Sequence, residues 1–205
     1  MSEVLFYIIW GYLAGSVLFA QVFSSLFGKK GIIENSKDQN PGTANAFVYG
    51  GFWCGLLTLA GDLLKGFLPV FCFFHSGIPE ASASLLSAVV IAAPVIGHVF
   101  PLFYGFKGGK GIAVTFGCLL GLLPVWQPLG AMIAFFLFFS LVLRITPHYH
   151  RTLAAYLCAL AAVLCTTGPE TAKAGFLMIA VTVCLRIMAS KEEKEKMGVK
   201  LLWTH

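Results

Sequence analysis

Gly97-His-Val-Phe-Pro-Leu-Phe-Tyr-Gly-Phe-Lys-Gly-Gly-Lys-Gly-Ile-Ala-Val-Thr115 sets a short, basic, glycine-rich run between two strongly apolar segments. Glycine carries no Cβ, so the backbone N–H groups of Gly108, Gly109 and Gly111 are free to approach an anion closely. Lys110 adds a full positive charge at the same spot, and Lys107 stands just before it. A phosphate is the natural guest for such a loop. A helix starting at or just after Gly111 would aim its N-terminal dipole at the same anion. The spacing departs from G-x-x-x-x-G-K-[ST], which argues against a nucleotide site. The competing reading is a basic turn that touches anionic lipid headgroups.

The apolar flanks extend over the whole chain. Its 205 residues are 58% hydrophobic and 11% charged, with 19 Phe, and the mean hydropathy is +0.85. A soluble domain of this length cannot hide that much apolar surface, whereas a bilayer can. A span needs roughly 20 apolar residues. Seven segments qualify as candidates: 4–27, 46–74, 82–103, 111–124, 126–144, 152–168 and 173–190. The fourth is short and glycine-rich, which suits a tilted or re-entrant helix, and Pro124 and Pro128 mark the turn after it. The N-terminal segment lacks a basic leader and a cleavage site and reads as a retained span. The six Cys fall almost entirely in apolar runs and form no C-x-x-C pair, so neither a disulfide framework nor a zinc site is indicated.

Charge orients the spans. Lys29, Lys30, Lys37, Lys107, Lys110, Arg144, Arg151, Arg186, Lys191, Lys194, Lys196 and Lys200 fall in alternate loops and the C-terminal tail. The opposite loops hold only Lys173, and Lys65 lies within a span. Basic residues stay in the cytoplasm, so the expectation is an all-α, seven-span protein with its N-terminus outside and its C-terminus inside. One membrane domain, 1–205, accounts for the chain. Every polar, glycine-rich loop then lies on the cytoplasmic face.

Other residues converge on the same face. The first loop holds Asn40-Pro-Gly42-Thr43-Ala-Asn45, turn chemistry leading into a helix. Asn45 is a candidate N-cap. The amides, hydroxyl and backbone N–H groups of Asn40, Gly42, Thr43 and Asn45 suit a phosphate or polyol; the plainer reading is an ordinary capped turn. Asp62 and Lys65 share a helix face inside an apolar run. A charge in the bilayer costs at least about 2.5–3.5 kcal/mol, so each faces a partner or a polar cavity. Either they pair with one another or they wall a site. His98 precedes the glycine loop and is a candidate catalytic group, though no carboxylate partner is readable from spacing. His148, Tyr149, His150 and Arg151 read as a headgroup-facing loop rather than a metal site. The tail from Ser190 reads as a solvated or surface-lying helix end, with Trp203 as an interfacial anchor.

These blocks together are similar to the PlsY family of bacterial membranes, the acyl-phosphate:glycerol-3-phosphate acyltransferases. The resemblance runs from Gly11-Tyr-Leu-Ala-Gly-Ser16 through Asn40–Asn45 and Asp62-Leu-Leu-Lys-Gly66 to Gly97–Thr115. It implies seven spans, a site facing the cytosol, and transfer of an acyl chain from acyl phosphate to the 1-hydroxyl of glycerol-3-phosphate, giving lysophosphatidic acid. It implies no cofactor, metal, acyl-CoA or carrier protein, and no nucleic acid is expected as a partner. Membrane lipids and an acyl-phosphate-forming enzyme are the implied neighbours, and a bacterial plasma membrane is the implied location. Lys110 and His98 become the expected catalytic residues. Asn40, Gly42, Thr43, Asn45, Asp62, Lys65, Lys107, Gly108, Gly109, Gly111, Thr115 and Thr152 become the expected substrate contacts. The chain departs from the family pattern at several places. Lys37-Asp38 stands for a Gly-Ser, Thr43-Ala44 for an Ala-Thr, Val48 for an Arg, and Thr152 and Ala155 for two serines. Arg186-Ile-Met-Ala occupies the neighbourhood of a His-x-x-Asn. The alternative readings are a relative that binds a phosphorylated lipid or metabolite without turnover, and an anion transporter.

Overall fold

The computed structural model describes residues 2–29, 36, 38–78, 85–190 and 197–201. The chain is mostly helical. α1 (Ser2–Gly15) and α2 (Phe19–Leu26) meet at a 42° bend, so the expected segment 4–27 is a broken one. The break leaves the Val17 carbonyl outside the helical ladder, where the Lys65 side chain reaches it. α3 (Thr43–Gly50) and α4 (Phe52–Phe74) divide the expected segment 46–74 at Gly51, whose φ of 89° lies in the left-handed region. α5 (Leu85–Val99) continues into a 3₁₀ turn, Leu102–Tyr104. α6 (Ile112–Gly121) follows the glycine loop, and α7 (Gln127–Leu137) runs on through a π segment, Phe138–Val142. α8 (His148–Cys165) and α9 (Glu170–Met188) complete the helices.

Among the described residues, three helices are long and apolar enough to cross a bilayer: α4, α5 with its 3₁₀ extension, and α9. The bent pair α1–α2 makes a fourth if taken as one span. α6 has 10 residues and so reaches about 15 Å, half the hydrocarbon thickness. Its shortness matches the sequence reading of 111–124. Phe6, Ile9, Trp53, Leu64, Leu68, Leu137, Leu157 and Leu185 are exposed around the helices, an apolar surface that suits lipid.

Two expectations change. The fold is not purely helical, because β1 (Leu143–Thr146) pairs antiparallel with β2 (Gly198–Leu201), Leu143 opposite Leu201 and Thr146 opposite Gly198. The pairing joins residues far apart in sequence, and neither four-residue segment signals a strand by itself. It also turns 198–201 from a tail into an element fixed at the α7–α8 connection. The second change is that His148 to Arg151 form the first turn of α8, after Pro147, rather than a loop. Trp203 and Lys191, Lys194 and Lys196 lie outside the described residues.

The helices pack through small residues, as in membrane bundles where backbones approach closely. A Cβ on Gly117 of α6 would sit 2.2 Å from the Leu63 carbonyl oxygen of α4, and one on Gly97 of α5 would sit 2.1 Å from the Tyr12 carbonyl oxygen of α1. These contacts draw α1, α4, α5 and α6 together. α9 lies against α5 on the other side, and Ile91, Val95, Tyr156, Phe176, Ile179 and Val183 form the dry centre of the bundle. One end of that bundle carries the first loop, the α5–α6 loop and the C-terminal turn of α9.

Candidate active site

Three buried ionisable side chains sit beneath the loops. Lys65 Nζ donates to the Val17 carbonyl at 2.6 Å and to His98 Nδ1 at 2.9 Å, and forms an ion pair with Asp62 Oδ1 at 2.8 Å. Three polar groups thus surround the one ammonium. The α1–α2 bend supplies one of the acceptors, which gives the break a purpose. Asp62 and Lys65 are 2% and 5% exposed, so water contributes little to either. The two residues therefore pair with one another, and Asp62 also lines a cavity. Its Oδ2 accepts from Thr43 Oγ1 at 3.3 Å, tying the first loop to the cluster. His98 Nδ1 accepts from Lys65, so a neutral His98 carries its proton on Nε2. The carboxylate that spacing did not reveal is Asp62, 3.9 Å from His98 Nδ1. His98 is built here to donate from Nε2, not to act as a free base.

The glycine loop is arranged differently from the sequence expectation. Gly108 N–H donates to the Val99 carbonyl at 3.2 Å and Gly109 N–H to the His98 carbonyl at 3.1 Å. Those amides close the end of α5 and are not turned to a guest. A Cβ on Gly109 would come within 2.3 Å of His98 Nε2, so the loop lies directly on the imidazole. Gly111 has a φ of 80°, left-handed, and reverses the chain into α6. The anion-facing elements are therefore Lys110 and the first N–H groups of α6, which no helical carbonyl takes up.

Asp38 holds Lys110. Its Oδ2 accepts from Lys110 Nζ at 3.0 Å, and its Oδ1 accepts from Asn45 Nδ2 at 2.7 Å and from Asn40 N–H at 3.2 Å. Burial raises the Asp38 pKa, but the Asn45 and Lys110 hydrogen bonds and the Lys110 charge outweigh it and hold the carboxyl below its ordinary value. Asn45 also donates to the Asn40 carbonyl at 2.8 Å. It is therefore not the N-cap of the next helix; Gly42 takes that position and α3 starts at Thr43. Asn45 is the third residue of α3, inside its first turn and past the capping position, and its Nδ2 reaches back to Asp38.

Asn40, Gly42, Thr43, Asp62, His98, Lys110, Gly111 and Thr152 line one cavity of about 350 Å³. Apart from His148, its remaining wall is apolar, with Leu59, Ile112, Phe116 and Phe136. Lys107 and Gly108 line a second cavity with Asp38 and Arg186. Lys65 lines neither cavity and touches His98 and Asp62 behind the inner one. Thr115 falls away from both cavities: its Oγ1 donates to the Gly111 carbonyl at 2.9 Å and accepts from Tyr156 at 2.9 Å inside the bundle. Sequence reasoning passed over two residues. His148 reaches the cavity because α8 starts early, a tertiary fact. Arg186 donates to the Gly108 carbonyl at 2.7 Å, and a lone arginine in an apolar helix was the available signal. Val48 points outward, 73% exposed on α3. Among the described residues no group of three His, Cys, Asp or Glu is placed to hold a metal ion.

Residues 5–197 match the family described as glycerol-3-phosphate acyltransferase. The chain belongs to that family. A glycerol-3-phosphate acyltransferase of Shewanella oneidensis is 34% identical over 169 residues, 81% of this chain and 76% of that protein. One of Pasteurella multocida is 38% identical over 130 residues, 63% of this chain, and the match spans 61% of that relative's length. Two crystal forms of PlsY (YgiH), an integral membrane glycerol 3-phosphate acyltransferase, share the fold. The glycerol 3-phosphate form gives a TM-score of 0.76 at 27% identity, covering 90% of this chain and 88% of that one. The lysophosphatidic acid form gives 0.74 at 26%, covering 90% and 87%. The family likeness thus extends through α7, α8 and α9, beyond the motif blocks that first suggested it.

Proposed function

We propose that this glycerol-3-phosphate acyltransferase family member moves an acyl chain from acyl phosphate to the 1-hydroxyl of glycerol-3-phosphate. The observation that carries the reading is the 350 Å³ cavity, where Lys110, His98 and the start of α6 meet an apolar wall of Leu59, Phe116 and Phe136. An acyl phosphate needs that pairing: donors for its charged end and grease for its chain. Asn40 Oδ1, buried without a hydrogen-bond partner among the described residues, is an acceptor ready for a polyol hydroxyl. The relatives' names and the glycerol 3-phosphate form of the structural neighbour support the acceptor.

Acyl phosphate is already activated, so positioning and charge stabilisation are the protein's main tasks. The substrate hydroxyl oxygen attacks the acyl carbon. The bond from that carbon to the bridging oxygen breaks, and the hydroxyl proton passes to a phosphate oxygen, releasing inorganic phosphate. His98 Nε2–H and the first amides of α6 are the donors available to the oxygen that gains charge. Lys110 neutralises the phosphate, and Lys65 and Asp62 hold His98 and Thr43 in place. In this reading the chain is one domain that crosses a bacterial plasma membrane seven times, N-terminus outside, with the site at the cytosolic face. The enzyme that forms acyl phosphate is its supplier.

Purified protein given acyl phosphate and glycerol-3-phosphate yields lysophosphatidic acid, and Lys110→Ala lowers the rate by about 100-fold or more, the scale of losing one preorganised charge-stabilising group. Folded wild-type protein that makes no product defeats the proposal.

A further inference from the structure

The bond between Asp38 and Lys110 is a partition. Lys110 lines the inner cavity described above, while Asp38 lines an outer one of about 550 Å³ with Gln21, Tyr104, Lys107, Arg186 and Ser190. The inner wall is largely apolar; the outer wall is more polar than the inner one and carries two cations. Arg186 reaches it from the last turn of α9, with one Nη on the Gly108 carbonyl. Its Nε is buried without a hydrogen-bond partner among the described residues. Guanidinium presents five N–H donors in a rigid fork that fits phosphate oxygens two at a time. An unmet donor away from water is costly, so the fork is set for an acceptor that arrives from outside.

We propose that Arg186, with Lys107, binds the phosphate of the glycerol phosphate substrate in the outer cavity, and that Asp38 is a resting counter-anion which this phosphate displaces from Lys110. The inference rests on the acyltransferase reading and adds to it where the polar substrate sits and what it must replace. A phosphate monoester near neutral pH carries nearly two charges against one for a carboxylate, and three cations surround the partition. Once Asp38 leaves Lys110, the two cavities join. The phosphate then stays on Arg186 and Lys107 while the glycerol hydroxyl extends inward past Lys110 to the acyl group. In the empty site Lys110 stays paired and the partition closed, which keeps Lys110 from capturing other anions.

The test measures KM separately for the two substrates in wild type, Arg186→Gln, Arg186→Lys and Asp38→Asn, together with inhibition and thermal protection by inorganic phosphate. Arg186→Gln raises KM for glycerol phosphate about tenfold or more, the loss of a charge-assisted hydrogen bond, and leaves KM for acyl phosphate nearly unchanged. Arg186→Lys keeps the charge and loses the fork, so it recovers part of the affinity. Asp38→Asn strengthens inhibition by inorganic phosphate. An unchanged KM for glycerol phosphate in Arg186→Gln overturns the inference. So does a parallel rise of both KM values in Arg186→Lys, which would mean that Arg186 only braces Gly108. Unchanged or weaker phosphate inhibition in Asp38→Asn removes the counter-anion role. If wild type makes no lysophosphatidic acid, the acyltransferase reading fails instead. Thermal protection by phosphate, present in wild type and lost in Arg186→Gln, then still supports the site, and its absence from wild type overturns it.

Discussion

Replacing Lys65 by Met removes a buried charge and leaves three acceptors behind: Asp62 Oδ1, His98 Nδ1 and the Val17 carbonyl. Met fills most of the lysine volume, so packing changes little. Leaving one charge of a buried pair uncompensated costs about 3–5 kcal/mol. At ~2–4 °C per kcal/mol for a chain of this length, the midpoint of thermal unfolding falls by about 6–20 °C. A thiol-reactive dye in detergent reads this well, because Cys54 and Cys118 are free and buried and react only on unfolding. The double variant Asp62→Leu with Lys65→Met removes both charges, and an apolar pair of similar volume is often as stable as the ion pair it replaces. It recovers most of the midpoint. Activity does not return with stability, since His98 has lost the donor that fixes its tautomer and Thr43 its acceptor. A Lys65→Met midpoint within about 2 °C of wild type refutes the reasoning, because such a small shift is below one kcal/mol. A double variant less stable than the single refutes it as well.

Other outcomes follow from the same geometry. Gly117→Val puts side-chain carbon where the Leu63 carbonyl stands 2.2 Å away, and overpacking of this kind lowers stability by ~1–3 kcal/mol or more, seen as a lower unfolding midpoint with no change in substrate preference. Asp38 is held below its ordinary pKa of 3.8, so its ion pair with Lys110 contributes fully above that value and is lost as pH falls through the lower, folded-state pKa. Amide hydrogen exchange around Asn40–Asn45 should rise over that acidic window in wild type. In Asp38→Asn it should be pH-independent there after correction for intrinsic exchange, and identical profiles would count against the bridge.

Legibility varied by residue. Asp62, Lys65 and His98 were visible because a charge or polar group in an apolar run needs a partner, whatever the partner is, and Lys110 and Thr43 because they sit in glycine- and turn-rich loops. Beyond the Asp62–Lys65 pair, which partner each one takes was not visible. Lys65 completes its coordination on Val17, a carbonyl released by a bend that no single residue announces. Glycine composition suggested amides turned to an anion, yet Gly108 and Gly109 spend theirs on the end of α5. Close approach of backbones was the true demand. Asp38 stood out in sequence only as a departure from the family pattern; in space it is the anion already seated on Lys110.

Hydropathy and charge alone determined a membrane protein, because transfer free energy depends on local composition and accumulates along the chain; the motif blocks, read as residues in order, carried the family resemblance. Tertiary structure decided the rest: the two cavities, the Asp38–Lys110 partition, the β1–β2 pairing and the arrival of Arg186 from the far end of the chain. Those depend on which helices touch. Contacts between residues dozens of positions apart are fixed by small-residue packing and buried hydrogen bonds, which leave no period or spacing in the sequence to read.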